Sequence, residues 1–296
     1  MLVGAGCGVI AVAIWAGWLV MMRLGVTTSL SAPDLIALRF ATAGPLLLPI
    51  VIRRGLAIDR LGWPGFLAVV FGAGAPQVLV VGAGLLFAPV AHAGALYQGV
   101  VPLAVACLAS IVIKERLSAA RKLGLSFVLI DAFMIGGIGL SNLGGRQSIG
   151  HLLFLVAAGM VAGYTVAIRR AQIDGLHAAA IAAVASLMIY LPIYAAFLEN
   201  GLFKAAVADL AVQAFYQGIL TAAVSLALYG RAIHILGASN AAVFVALGPI
   251  MAALMAIPVL GEWPSDTDWI AVILVATGIY LSSGGPLLRW NVGARS

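Results

Sequence analysis

Two stretches decide how this chain is built: PLAVACLASIVIKE at residues 102–115 and PIMAALMAIPVLGE at residues 249–262. Each opens on a proline, runs through small and aliphatic residues, and reaches a glutamate 13 residues later, Glu115 in one and Glu262 in the other. The second stretch begins 147 residues after the first, almost half of the 296-residue chain. The same offset pairs Ala91 with Ala238, Ala95 with Ala242, Ala106 with Ala253, Val112 with Val259, and Arg23 with Arg170. Each match is weak alone, but all share one register, which marks an internal repeat.

The composition says where such a repeat resides. Hydrophobic residues make up 64% of the chain and charged residues 9%, against roughly 25% charged in a soluble domain. Disordered, collagen-like and disulfide-scaffold classes are excluded. At roughly 20 apolar residues per membrane-spanning helix, about ten helices fit, and the loops between them are too short for a soluble domain. The apolar runs predict spans at 3–22, 35–52, 62–85, 90–113, 123–140, 150–168, 176–198, 210–229, 238–260 and 269–287. None shows the alternation of a transmembrane barrel strand. The expected fold is therefore an all-α polytopic membrane protein. No basic stretch precedes the first apolar run, so that run reads as a span and not as a cleaved leader. Cys7 and Cys107 both fall in apolar runs and read as buried small hydrophobes.

The scarce charges test the helix count. Twelve basic residues fall on the N-terminal side of a ten-span arrangement: Arg53, Arg54, Arg60, Lys114, Arg116, Arg121, Lys122, Arg169, Arg170, Arg231, Arg289 and Arg295. Three fall on the other side, Arg23, Arg146 and Lys204, while Arg39 lies within a span. This asymmetry follows the positive-inside rule and places both termini in the cytoplasm. The formal charge of +6 is thus read as orienting the chain in the bilayer, with no nucleic-acid partner. A repeat of five spans has an odd number, so the second copy enters the membrane inverted. Glu115 is expected at the cytoplasmic side and Glu262 outside. The repeats span 1–143 and 149–288, followed by a cytoplasmic tail at 289–296. Inverted halves can exchange conformations and open one central site to each side in turn. No Walker A motif is present, which argues against direct ATP drive.

The Pro-x12-Glu endings of spans 4 and 9, the run Lys114-Glu115-Arg116-Leu117-Ser118, Trp15 and Trp18 in span 1, and Arg39 in span 2 resemble the drug/metabolite transporter superfamily, and within it the EamA-type exporters. The resemblance covers essentially the whole chain. It implies helices 1–4 and 6–9 around a central cavity, with 5 and 10 at the periphery. It also implies a bacterial inner (plasma) membrane location and a small-molecule substrate, with the aromatic amino-acid exporters a plausible near relation.

Several residues stand out as candidates. Pro102 and Pro249 each remove a backbone hydrogen bond and free a carbonyl near mid-membrane, which suits a hinge or a substrate contact. Gln77, Gln98 and Gln217 are amides at membrane depth that serve either a wet cavity or interhelical hydrogen bonds. Trp15, Trp18, Tyr97, Tyr164, Tyr216 and Phe244 are candidates for an aromatic lining, and Trp18, nearer a helix end, also fits an interfacial belt. Arg39 has three readings: snorkelling outward, pairing with Asp34, or binding a substrate carboxylate. Asp131 lies in mid-span, where an acid costs about 2.5–3.5 kcal/mol on insertion scales. It and His92 are candidates for proton coupling, although the resemblance makes helix 5 peripheral. No histidines have metal-ligand spacing, so neither metal nor cofactor is expected.

Three functions follow. The first is a secondary transporter exporting small metabolites, amino acids and especially aromatic or apolar ones, by alternating access. The second is an antiporter of nucleotide sugars or phosphorylated sugars, which needs several cavity cations; Arg39 is the single deep one. The third, an intramembrane hydrolase, rests on short Gly-x-Ser matches at 124–126, 139–141 and 237–239 that have no evident histidine partner. The sequence leaves monomer and homodimer both open.

Overall fold

A long apolar run in lipid satisfies its backbone polar groups by coiling into a helix, and this chain does so almost everywhere. The computed structural model describes residues 1–28, 30–115, 117–140, 145–197, 201–203 and 205–283. Among them the chain forms no strand, one short 3-10 turn at Gly201–Phe203, and ten long helices. They are α1 (Leu2–Thr27), α2 (Ala32–Arg54), α3 (Ile58–Phe87), α4 (Val90–Val112), α5 (Ala119–Leu140), α6 (Arg146–Ala171), α7 (Gly175–Phe197), α8 (Val207–Leu236), α9 (Asn240–Leu260) and α10 (Asp266–Ser282). Eight of these, α1–α4 and α6–α9, are long and apolar enough to cross a membrane. The described part of α10 is 17 residues long. The tail at 289–296, with Arg289 and Arg295, lies outside the described residues.

Local chemistry sets the helix ends. α2 and α10 each start on a capping box, Ser31 with Asp34 and Ser265 with Asp268; the reciprocal bonds satisfy backbone groups that a helix start leaves open. α9 stops at Gly261, whose φ of 67° suits glycine. Large apolar side chains such as Leu46, Phe71, Phe133, Leu152, Met188 and Ile273 point outward, as expected where the solvent is lipid. Cys107 belongs to this outer face and Cys7 is half-buried. The expectation that both are buried is corrected: an apolar helix in lipid need not turn such a residue inward.

Packing follows the repeat. α2 packs along α7, and α5 along α10. The contact of α1 with α9 has its counterpart in α6 with α4, and that of α1 with α8 in α6 with α3. Exchanging the two five-helix halves therefore maps these contacts onto one another. Buried alanines and glycines let the helices approach closely. α3 meets α6 this way, where a Cβ built on Gly72 would run into the Met160 carbonyl oxygen, and α5 meets α10, where a Cβ on Gly278 would lie 2.7 Å from the Gly124 carbonyl oxygen.

Four helices are irregular in mid-course. α3 is interrupted at Gly74, whose backbone is extended (φ −98°, ψ −162°). α4 contains a π-helical turn at Gly94–Gly99 and restarts as Val101–Val112 with Pro102 in its first turn. α8 has a π-helical stretch at Phe215–Val224. α9 breaks after Val245 and restarts as Gly248–Leu260, with Pro249 in its first turn. Each proline thus stands at the start of a new helical segment, where its missing N–H is tolerated.

Candidate functional site

The four irregular helices meet around a cavity of about 370 Å³. Irregular backbone at membrane depth is tolerated where it lines such a space. Gln77 from α3, Tyr97 and Gln98 from α4, Thr221 from α8 and Val245 from α9 all contribute to the wall. α1 adds Trp15 and Trp18, α2 adds Arg39 and Phe40, α6 adds Tyr164, and α7 adds Ala179 and Ala183. Among the described residues, none of the lining comes from α5 or α10. Each proline removes the donor for the carbonyl four residues earlier. Those positions, Gln98 and Val245, both line the cavity.

Seven of the residues singled out in the sequence meet here: Trp15, Trp18, Arg39, Gln77, Tyr97, Gln98 and Tyr164. The guanidinium of Arg39 lies 5.4 Å from the ring centre of Trp18, in cation–π range. Its Nη1 is buried and makes no hydrogen bond among the described residues. The expected partner, Asp34, is engaged elsewhere. It accepts from the Ser31 backbone N–H at 2.8 Å, the Ser31 hydroxyl at 2.7 Å, the Gly201 N–H at 3.2 Å and the Tyr194 hydroxyl. The Tyr97 hydroxyl accepts from Gln77 Nε2 at 3.0 Å. Gln98 Nε2 donates to the Trp15 carbonyl at 3.5 Å, while its Oε1 is buried without a donor. Trp15 donates to the Ser225 hydroxyl at 2.9 Å and packs on Tyr229.

Gln217 and Phe244 lie behind this wall. Gln217 is fully buried, accepts from Trp18 Nε1 at 2.7 Å, and donates to Gln213 at 3.3 Å. It therefore acts as an interhelical hydrogen bond that fixes the indole. Phe244 packs over Gly8, where a Cβ would come within 2.8 Å of the ring. Trp18, which from sequence fits either an aromatic lining or an interfacial belt, is part of the wall. The three-residue spacing of Trp15 and Trp18 puts both on one helix face and was the signal for it.

Neither candidate for proton coupling lines the cavity. His92 is buried at the start of α4; its Nδ1 is 2.9 Å from His151 Nε2 and its Nε2 is 2.9 Å from Asp268 Oδ1. The three groups form a hydrogen-bonded chain from α6 through His92 of α4 to α10. Asp131 is fully buried on the same face of α5 as Val128 and Ile135, and neither carboxylate oxygen has a hydrogen-bond partner among the described residues.

Ion pairs join the two halves at opposite ends of α4. At its start, Glu262 pairs with Arg23 at 2.7 Å and accepts from the Val90 N–H at 2.9 Å, while Arg23 also donates to the Leu85 carbonyl. Beyond its other end, Glu115 pairs with Arg121 at 2.8 Å and with Arg169 at 3.1 Å. The two glutamates are the repeat-related pair read from sequence, and each reaches an arginine of the opposite half. In the α6–α7 loop, partial burial alone would push Asp174 up. The His177 N–H and the Arg54 guanidinium, at 2.9 and 2.6 Å, outweigh it and hold the carboxyl below its ordinary value.

An all-helical multi-pass membrane protein with a central cavity walled by both of its halves is the class these features define. A family model for EamA-like transporters matches the chain twice, over residues 2–137 and 148–284. The chain belongs to the EamA-like transporter family, and with it to the membrane transporters of small molecules. A solved structure described only as "Crystal structure of protein" aligns with a TM-score of 0.62 at 21% identity, covering 98% of this chain and 99% of that one. It shares the fold. No curated protein matches the chain.

Proposed function

We propose that this protein exports small metabolites, foremost amino acids with aromatic or apolar side chains, by alternating access. The observation that carries the reading is the cavity. It is walled by helices of both halves, mostly apolar and aromatic, and among the described residues its lining includes one cation and no carboxylate. A body the size of an aromatic amino acid fits such a space. Phosphorylated or nucleotide-linked sugars call for several cations, so the antiporter reading is the weaker one.

Alternating access is supported by the exchange symmetry of the helix contacts and by the two cross-half ion pairs. In this reading all ten helices cross the bacterial inner membrane, the halves are inverted, both termini are cytoplasmic, and Glu262 faces outward. His92 and Asp131, outside the cavity, are where a proton gradient would act at a distance. The test is a panel of labelled amino acids in proteoliposomes, with and without a pH gradient. Flux of aromatic or apolar amino acids above that of empty liposomes is expected. A panel with no such flux rejects the reading. Flux indifferent to the gradient removes His92 and Asp131 from the mechanism.

A further inference from the structure

We infer that Arg39 is the anchor for a single carboxylate in the cavity, so that the protein selects substrates carrying one carboxylate on an apolar or aromatic body. The inference rests on the transporter reading above and deepens it. A guanidinium without an acceptor at membrane depth is costly. Arg39 is held in that condition: Asp34, the acid five residues away, is saturated by donors from Ser31, Tyr194 and Gly201. Cation–π contact with Trp18 fixes the guanidinium against the cavity wall but leaves Nη1 without an acceptor. An incoming anion supplies that acceptor.

Tyr97 adds a second donor. Its oxygen accepts from Gln77, which leaves the hydroxyl proton for an acceptor, and it lines the same cavity as Arg39. Two donors and one net positive charge match a monocarboxylate. A dianion would leave one charge unneutralised, and a cation would be repelled. The unpartnered Oε1 of Gln98 can accept from an N–H of the same substrate, which makes an α-amino acid a better fit than a plain carboxylic acid.

Three ligands with one aromatic body separate the possibilities: phenylalanine, 3-phenylpropionate and 2-phenylethylamine. Binding to the purified full-length protein is read by calorimetry, and each compound also competes against labelled phenylalanine in counterflow. Loss of a hydrogen bond to a charged group predicts that 2-phenylethylamine binds about 10- to 100-fold more weakly than the two carboxylates. Arg39→Gln is expected to abolish that preference and Arg39→Lys to keep part of it. If all three bind alike in the wild type, or if Arg39→Gln keeps the preference, the anchor is wrong while the transporter reading stands. If none binds or moves, both fall. Should Arg39→Gln fail to fold, the wild-type comparison and Arg39→Lys still decide.

Discussion

Single residues carry more than their number suggests, because a polar group in this interior has few partners to choose from. Asp34 illustrates the point. It caps α2 and also gathers donors from α7 and from Gly201, so it ties three parts of the chain together. Asp34→Ala leaves those donors unpaired and is expected to cost about 2–3 kcal/mol, seen as a lowered melting temperature in detergent. A variant as stable as wild type would show that water replaces the carboxylate. Asp174 is a milder case. Its carboxyl is held below the ordinary value of 3.8, so the Arg54 and His177 contacts stabilise the fold above that pH and are lost as the pH falls through the folded value. The pair is largely exposed, and exposed pairs contribute about 0–1 kcal/mol. Asp174→Asn should therefore lower the melting temperature slightly at pH 7 and not at all well below pH 3.8. A deficit that persists in acid would mean that the asparagine disturbs packing. At this scale the sequence was only half legible. Arg39, Gln77 and Gln98 stand out as polar residues in apolar runs, but whether an amide faces a cavity or a neighbouring helix depends on helix rotation. Hydropathy does not encode that rotation: Gln98 reaches the wall and Gln217 stands behind it.

Helices were legible as lengths and not as shapes. An apolar run of about 20 residues announces a span, yet nothing in hydropathy marks the π-helical turns of α4 and α8. Pro102 and Pro249 did mark the restarts of α4 and α9. The interruption of α3 at Gly74 carries the same mark, Pro76 in the first turn of the restarted Ala75–Phe87 segment, but the flanking glycines and alanines keep the run apolar, so hydropathy alone reads it as one span. Where those helices meet neighbours, glycines set the spacing. Gly278 and Gly124 bring α5 and α10 together backbone to backbone, and α10 also presses Val275 against Gly99 at the π turn of α4. Gly278→Val is expected to drive α5 and α10 apart, since a Cβ 2.7 Å from a carbonyl oxygen meets backbone that cannot step aside cheaply. The predicted cost is about 1–3 kcal/mol, read as a lower melting temperature, whereas Gly159→Val, with open space around its Cβ, should be neutral. Equal stability of the two variants would show that the α5–α10 contact is loose. Asp131, near this interface, makes a complementary case. With no partner for either oxygen, the neutral isostere Asp131→Asn should be at least as stable as wild type. A clear loss of stability would reveal a partner for the carboxylate.

For the whole molecule, the 147-residue repeat foretold the pairing of glutamates but not what holds them. The sequence match set Arg23 against Arg170, whereas the ion pair in the second half uses the neighbouring Arg169. A one-residue slip at a helix end leaves the charge at the same corner, which is why the pairing survives an imperfect match. The consequence concerns the balance between two conformations. Arg23–Glu262 closes the two halves at one end of α4, and Glu115–Arg169 closes them beyond the other. If the halves rock about a central site, breaking one pair favours opening at that end and breaking the other favours the opposite state. Both glutamates are about three-quarters buried, with side-chain exposures of 22% and 26%. Loss of either pair is expected to cost about 1–2 kcal/mol, a factor of 5–30 in the ratio of states. The readout is labelling of Ala183→Cys in the cavity wall by a membrane-impermeant thiol reagent added to one side, with the native cysteines replaced. Glu262→Gln and Glu115→Gln should change the labelling rate in opposite directions, and the double variant should return toward the starting rate. Exchanging the charges in Arg23→Glu with Glu262→Arg should restore part of the wild-type labelling, because the attraction survives while the Val90 N–H and the Leu85 carbonyl lose their partners. Changes in the same direction would mean that the two pairs only hold the bundle together, and the case for two exchanging states would then rest on helix symmetry alone.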